Sequence, residues 1–277
     1  MKILLMTDME GVAGIINSDD WVLPGARYFE EGKRLLTMEV NAAVEGFFDA
    51  GADEIVVCDG HGYSGVNLEL LDNRVLYQRG WDGPYPFGND ETFDVMVWVG
   101  QHPKAGTEYG HICHTGNLID RKINGVSVGE FGEEVAICVG LGVQVIFASG
   151  CLAFTKEAEA LVPGIQTVAV KFGVTPGSGD ECTHEEYMDR NLGAVHLHPE
   201  KARKLIKKGA YDALKRFITN PETFGMPVFE PPFELECIVR KTGGVEGYTI
   251  VTTNPTSVPD LLNGKGETKT KEVKQNI

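Results

Sequence analysis

Four short apolar runs, each halting at a cluster of small or polar side chains, constrain this chain more than any other feature. Residues 2–7 run into Asp8 and Glu10, Glu54–Cys58 into Asp59-Gly60-His61, Phe93–Val99 into Gly100-Gln101-His102, and Val143–Ala148 into Ser149-Gly150-Cys151. Short apolar runs bounded in this way predict strands buried on both faces. Between the first two, Leu36, Val40, Ala43, Val44 and Phe47 recur at three- and four-residue spacing, the stripe of an amphipathic helix over Glu30–Ala50 that Gly51 closes. Strands alternating with helices require right-handed crossovers, so the expected fold is α/β, with a largely parallel central sheet flanked by helices. Ligands of such sheets gather at the carboxyl ends of the strands, which is where the polar clusters fall.

Downstream, Thr155–Val162 predicts a helix, Thr167–Lys171 a further strand, and Pro199–Phe217 a basic helix with Pro199 in its first turn. Phe229–Arg240, interrupted by Pro231 and Pro232, reads as an edge strand of a smaller C-terminal lobe. The expected organisation is an α/β metal-binding domain over residues 1–198, followed by a helix and the smaller lobe over 199–277. The Lys-, Thr- and Gly-rich tail from about residue 263 is expected to be weakly ordered.

A formal net charge of −15 disfavours a nucleic-acid partner, which calls for a basic patch. Six cysteines without a C-x-x-C pair fit neither a zinc finger nor a disulfide framework, and point to reduced thiols in a cytoplasm. The apolar run that meets Asp8 is too short for a signal peptide, and no stretch approaches the roughly 20 apolar residues that span a bilayer. Cytoplasmic residence without a membrane partner is therefore expected.

Asp8 and Glu10 flank Met9, and in extended chain this spacing puts both carboxylates on one face, roughly 7 Å apart. Two cations held about 3.5–4 Å apart need a bridging carboxylate and separate terminal ligands, which such a pair can supply. The competing assignment is an N-cap for a short helix after Gly11. Asp59 and His61 repeat the spacing after the second strand, with Asp59 available as ligand or as orienter of the imidazole. Gly60, Gly62 and Gly65 match the dinucleotide fingerprint, but Asn67–Asp72 is too short for its helix and Arg79-Gly80 stands where the ribose-binding acid belongs.

His102, His111 and His114 are three of only seven histidines, gathered within a dozen residues. His102 follows a strand directly and suits a nitrogen ligand, whereas His114 lies in a later polar segment, free to act on substrate. Zinc tolerates such a mixture of imidazole and carboxylate better than magnesium or calcium does. Asn124-Gly125 marks a hairpin turn and Gly129 a close backbone approach. Among Glu130, Glu133 and Glu134 the residues alone do not choose, and Glu130 by itself reads as a helix-start carboxylate.

In combination these motifs resemble the DppA-type zinc D-aminopeptidases. The likeness is carried by Asp8-Met9-Glu10-Gly11, Glu39-Val40-Asn41-Ala42, Asp59-Gly60-His61, Gly100-Gln101-His102, His114 and Asn124-Gly125 through Val128-Gly129-Glu130-Phe131-Gly132. It runs from Met1 to about Lys171, and more weakly to about residue 240. The resemblance implies two zinc ions per chain held by Asp8, Glu10, His61, His102 and Glu130, with His114 as catalytic residue. It also implies release of N-terminal D-amino acids from short peptides by a ring-like homo-oligomer that encloses its sites. Cys151-Leu152 departs from the acidic residues common in relatives after the fourth strand's Ser-Gly, and Gly173–His198 matches poorly; both bear on substrate preference. The alternatives are a dinuclear amidase or phosphoesterase, disfavoured by the shortage of Arg or Lys beside the ligands, and a noncatalytic peptide-binding protein.

Overall fold

The computed structural model describes residues 1–81 and 83–272. The first half contains β1 (Lys2–Thr7), α1 (Ser18–Trp21), α2 (Phe29–Ala50), β2 (Glu54–Asp59), β3 (Leu76–Gln78), β4 (Val95–Gln101), β5 (Leu118–Ile123), β6 (Val126–Ser127) and α3 (Glu130–Leu141). The second half contains β7 (Gln144–Cys151), α4 (Leu152–Leu161), β8 (Gln166–Gly173), α5 (His184–Arg190), β9 (Ala194–His196), α6 (Pro199–Thr219), β10 (Phe233–Val239), β11 (Tyr248–Asn254), α7 (Val258–Leu262) and β12 (Glu267–Glu272).

The main sheet runs β3-β2-β1-β4-β7-β8-β9, parallel throughout except for the β8–β9 pair. Period-2 alternation sorts its side chains. Ile3, Leu5, Ile55, Val57, Val95, Val97 and Val99 pack against α2 and α6, while Leu4, Met6, Val56, Cys58, Met96 and Trp98 pack against α3 and α4. Both faces are covered, which is why the runs are continuously apolar. Gly46 lets α2 and α6 cross closely, since a Cβ there would sit 2.3 Å from the Lys207 carbonyl oxygen.

A second, antiparallel sheet runs β12-β11-β10-β5-β6. Its core, including Ile123, Phe233 and Leu235, packs on Ala136 and Ile137 of α3 and on Val258 and Leu261 of α7. The two-residue turn from β5 to β6 places Asn124 and Gly125 at φ 49° and 79°, the left-handed pair that a tight hairpin demands.

Two expectations need correction. β10 is not an edge strand: it lies between β11 and β5, and the prolines precede its first ladder residue, where no donor is missed. Within the tail expected to be weakly ordered, residues 267–272 form β12 by pairing with residues 248–253 of β11; the last five residues lie outside the described ones. α6 belongs to the main sheet's helical layer, and β5 and β6 to the smaller sheet. α5 and β9 had no sequence expectation, although Thr183 and Glu186 form a capping box readable as a helix start.

Candidate metal centre

The carboxyl ends of β1, β2 and β4 deliver Asp8, Glu10, His61 and His102 to one side of the sheet, and α3 begins there with Glu130. Asp8 heads no helix after Gly11, so the capping alternative falls away; its Oδ1 accepts from Met9 N. His61 Nδ1 lies 3.2 Å from Asp8 Oδ1 and 3.4 Å from Glu10 Oε2. His102 Nε2 lies 3.4 Å from Asp8 Oδ2 and 3.5 Å from Glu130 Oε2. Two triads result, Asp8–Glu10–His61 and His102–His114–Glu130, each with its donor atoms within 4.8 Å of one another. Asp8 turns one oxygen to each.

Every imidazole is oriented from behind by a backbone carbonyl. Val22 O lies 3.3 Å from His61 Nε2, Pro103 O 2.8 Å from His102 Nδ1, and Ile112 O 2.9 Å from His114 Nδ1. With the proton on that nitrogen, the opposite nitrogen of each ring offers its lone pair. His114 stacks on His102 at 4.0 Å between ring centroids. Asp8 Oδ2 and Glu10 Oε2, both buried, have no hydrogen-bond partner among the described residues. Paired buried acceptors without donors are what a bound cation resolves, so the residues fit the expected metal.

The electrostatics follow from crowding. Burial first, and Glu10 second, raise Asp8 to about 7. Burial also pushes Glu10 and Glu130 upward, but the histidines overcome it, taking Glu10 well below the usual range and Glu130 to about 2. Burial acts against charge on His61, yet Glu10 and Asp8 carry it to about 11. His114 falls below its ordinary value through burial and the neighbouring His102. A cation entering here displaces protons from the ring nitrogens.

The loops that hold these groups are locked by close backbone crossings. Gly11 N donates to Gly100 O at 2.6 Å, and a Cβ on Gly11 would lie 2.1 Å from Gln101 O. Gly100 sits at φ +85°, with Asp8 O where its own Cβ would be. Gly129 likewise makes room for Lys104, which lets Glu130 start α3 beside His102.

Asp59 and His111 stand apart from this group. Asp59 accepts from Ser64, Gly65, Val66 and Tyr77, holding the loop after His61 and not the ring itself. His111, fully buried with Nε2 against Ile16 O and Leu192 O, is depressed to about 3 by burial and by Lys171. Sequence reasoning passed over Lys171, a fully buried ammonium two residues before the end of β8 that donates to the carbonyls of Glu10 and Ile15. A lysine closing an apolar strand was the available signal.

A cavity of about 510 Å³ opens onto the site. Tyr85, Phe87, Trp98, Arg121 and Glu134 line it besides the residues above, and Met188 does so from the Gly173–His198 stretch. No helix among the described residues is long and apolar enough to cross a membrane.

A family model described as D-aminopeptidase matches residues 1–254. The D-aminopeptidase of Bacillus subtilis (strain 168) is 32% identical over 176 residues, covering 62% of this chain and 64% of that protein. The match thus spans less than two thirds of the curated relative. The solved structure described as Zn-dependent D-aminopeptidase DppA from Bacillus subtilis, a self-compartmentalizing protease, has the same fold, with a TM-score of 0.78 and 23% identity over 95% of each chain.

Proposed function

The chain belongs to the D-aminopeptidase family, and on that premise we propose that it is a zinc-dependent aminopeptidase releasing N-terminal D-amino acids from short peptides. The observation that carries this is the pair of triads meeting at Asp8, with unpartnered buried oxygens aimed between them. In this reading Asp8, Glu10, His61, His102 and Glu130 would together hold two zinc ions. The chemistry such ions supply is polarisation of the scissile carbonyl and acidification of water.

His114 is then the mobile-proton group. Ile112 O fixes its Nδ1, and its lowered pKa keeps Nε2 unprotonated at pH 7, able to take a proton from attacking water and return it to the leaving amine. His61 and His102, held from behind, and Asp8 and Glu10, fixed by the Gly11–Gly100 crossing, keep the geometry. Arg121 is engaged by Glu133, Arg79 by the carbonyls of Asp59, His61 and Gly62, and Lys171 by those of Glu10 and Ile15. These cations are thus committed to the protein itself, which supports a peptide over a phosphoester. Assembly into a ring-like homo-oligomer with enclosed sites is part of the proposal, motivated by the self-compartmentalizing relative.

The test is zinc content per chain together with turnover of D-dipeptides, L-dipeptides and phosphoesters. His114→Ala should keep its zinc and lose roughly 100- to 10,000-fold in turnover. His61→Ala should lose zinc and turnover together. Full turnover by His114→Ala, or cleavage of phosphoesters alone, would overturn the assignment.

A further inference from the structure

Below the candidate centre the cavity continues between the sheet and α3. Its wall there is formed by Met6 and Trp98, paired neighbours on β1 and β4, and by Phe87 opposite. Glu134, one helical turn below Glu130, also lines this cavity. It is 1% exposed, and among the described residues neither of its carboxylate oxygens has a hydrogen-bond partner. The Asn89 amide lies nearby but turns its nitrogen to the sulfurs of Met96 and Cys138. Arg121, the cation on the same cavity wall, is matched by Glu133, whose second oxygen takes the Tyr85 hydroxyl. Among the described residues neither Glu134 oxygen thus accepts a hydrogen bond, and the nearby donors on Asn89 and Arg121 are turned to other partners. Burial and the neighbouring Glu133 push its pKa well above the usual range, against the lowering influence of the Asn89 amide. Leaving a carboxyl in this state is unfavourable, and a ligand that brings its own cation relieves it.

We propose that Glu134 closes a specificity pocket for the first side chain of the substrate, and that this pocket takes an unbranched aliphatic chain ending in an ammonium, as a lysyl or ornithyl residue carries. The methylene stem lies against Met6, Phe87 and Trp98, and the ammonium meets Glu134 away from water. The peptide part of this inference rests on the aminopeptidase reading; the ammonium pocket itself does not.

Two measurements on the zinc-loaded protein separate these. The first is calorimetric binding of 1-pentylamine, with 1-pentanol as the neutral control, to the native protein and to Glu134→Gln. The second is the ratio of kcat/KM for D-lysyl over D-norleucyl dipeptides in the same two proteins, with zinc content as the check on folding. The pocket predicts pentylamine binding that pentanol does not reproduce, and a loss of that binding in E134Q. It also predicts a D-lysyl preference that falls roughly 100-fold in E134Q, the scale for removing one member of a desolvated charge pair. Failure of the native protein to bind pentylamine overturns the pocket whatever the peptides do. An equal fall for both peptides in E134Q overturns the side-chain assignment, because the carboxylate then serves the α-ammonium common to both. Glu134-dependent binding of pentylamine with no peptide cleaved overturns the aminopeptidase reading and leaves the pocket standing.

Discussion

Replacing Gly11 by alanine tests how the candidate centre is held together. The added Cβ would lie 2.1 Å from Gln101 O and 2.4 Å from Gly100 O, both backbone atoms that no rotamer change can move. Carbon–oxygen contacts settle at about 3.3–3.6 Å, so the Asp8–Gly11 loop must withdraw from the Gly100–His102 loop by roughly 1 Å. That movement separates Asp8 from His102, now 3.4 Å apart, and breaks the 2.6 Å bond from Gly11 N to Gly100 O. Metal ligands tolerate displacements of only about 0.2 Å, so zinc affinity should fall at least about tenfold. Overpacking at about 1–3 kcal/mol and one lost hydrogen bond at about 1 kcal/mol together cost about 2–4 kcal/mol. In a chain of this size that corresponds to a Tm lower by roughly 3–7 °C. The assay is zinc equivalents per chain after dialysis against graded chelator, alongside thermal unfolding of the metal-free protein. Gly62→Ala is the control, because no atom of the described residues lies within 4 Å of a Cβ there. A Gly11→Ala protein with native zinc affinity and native Tm would refute the crossing as the device that joins the two triads.

Three further outcomes are expected. Gly140→Ala, in the exposed last turn of α3 with open space around its Cβ, should stabilise the protein by about 0.5–1 kcal/mol in urea unfolding. Arg121→Met should cost about 3–5 kcal/mol by leaving Glu133 buried and unmatched, and Arg121→Met with Glu133→Leu should recover most of it; equal stability of the single and double variants would contradict this. Glu39, buried with Ala13 N donating to it, is raised to about 8 chiefly by burial. The folded state therefore retains a proton that the unfolded state has released. This contribution to stability is complete below pH 4.5 and is lost as pH climbs through about 8. Glu39→Gln should flatten that slope in urea titrations of the metal-free protein, and an unchanged slope would show that Glu39 ionises normally.

Much of the main sheet was legible because burial on both faces makes β1, β2, β4 and β7 continuous apolar runs, a pattern that needs no knowledge of partners. β10 was harder, since Pro231 and Pro232 mark an edge only if they fall inside the ladder, and they fall just before it. β12 was missed because Glu267–Glu272 is polar throughout, and its order comes from the backbone of β11 and not from any apolar stripe of its own. The surroundings of Lys171 and Glu134 were not legible for a related reason. A buried ammonium and an unpartnered carboxyl acquire meaning from what stands around them, and those neighbours lie as far away in sequence as Glu10 is from Lys171.

By itself the amino-acid sequence determined which side chains stand at strand ends, and so which carboxylates and imidazoles could meet, because strand period and glycine placement are local properties. Only the tertiary structure decided that Asp8 faces both triads, that Asp59 serves its own loop, and that Arg121 is neutralised while Glu134 is left without a partner. Those outcomes depend on the distances and solvent exclusion created when separate segments pack, and the strength of every charge interaction in the site depends on both.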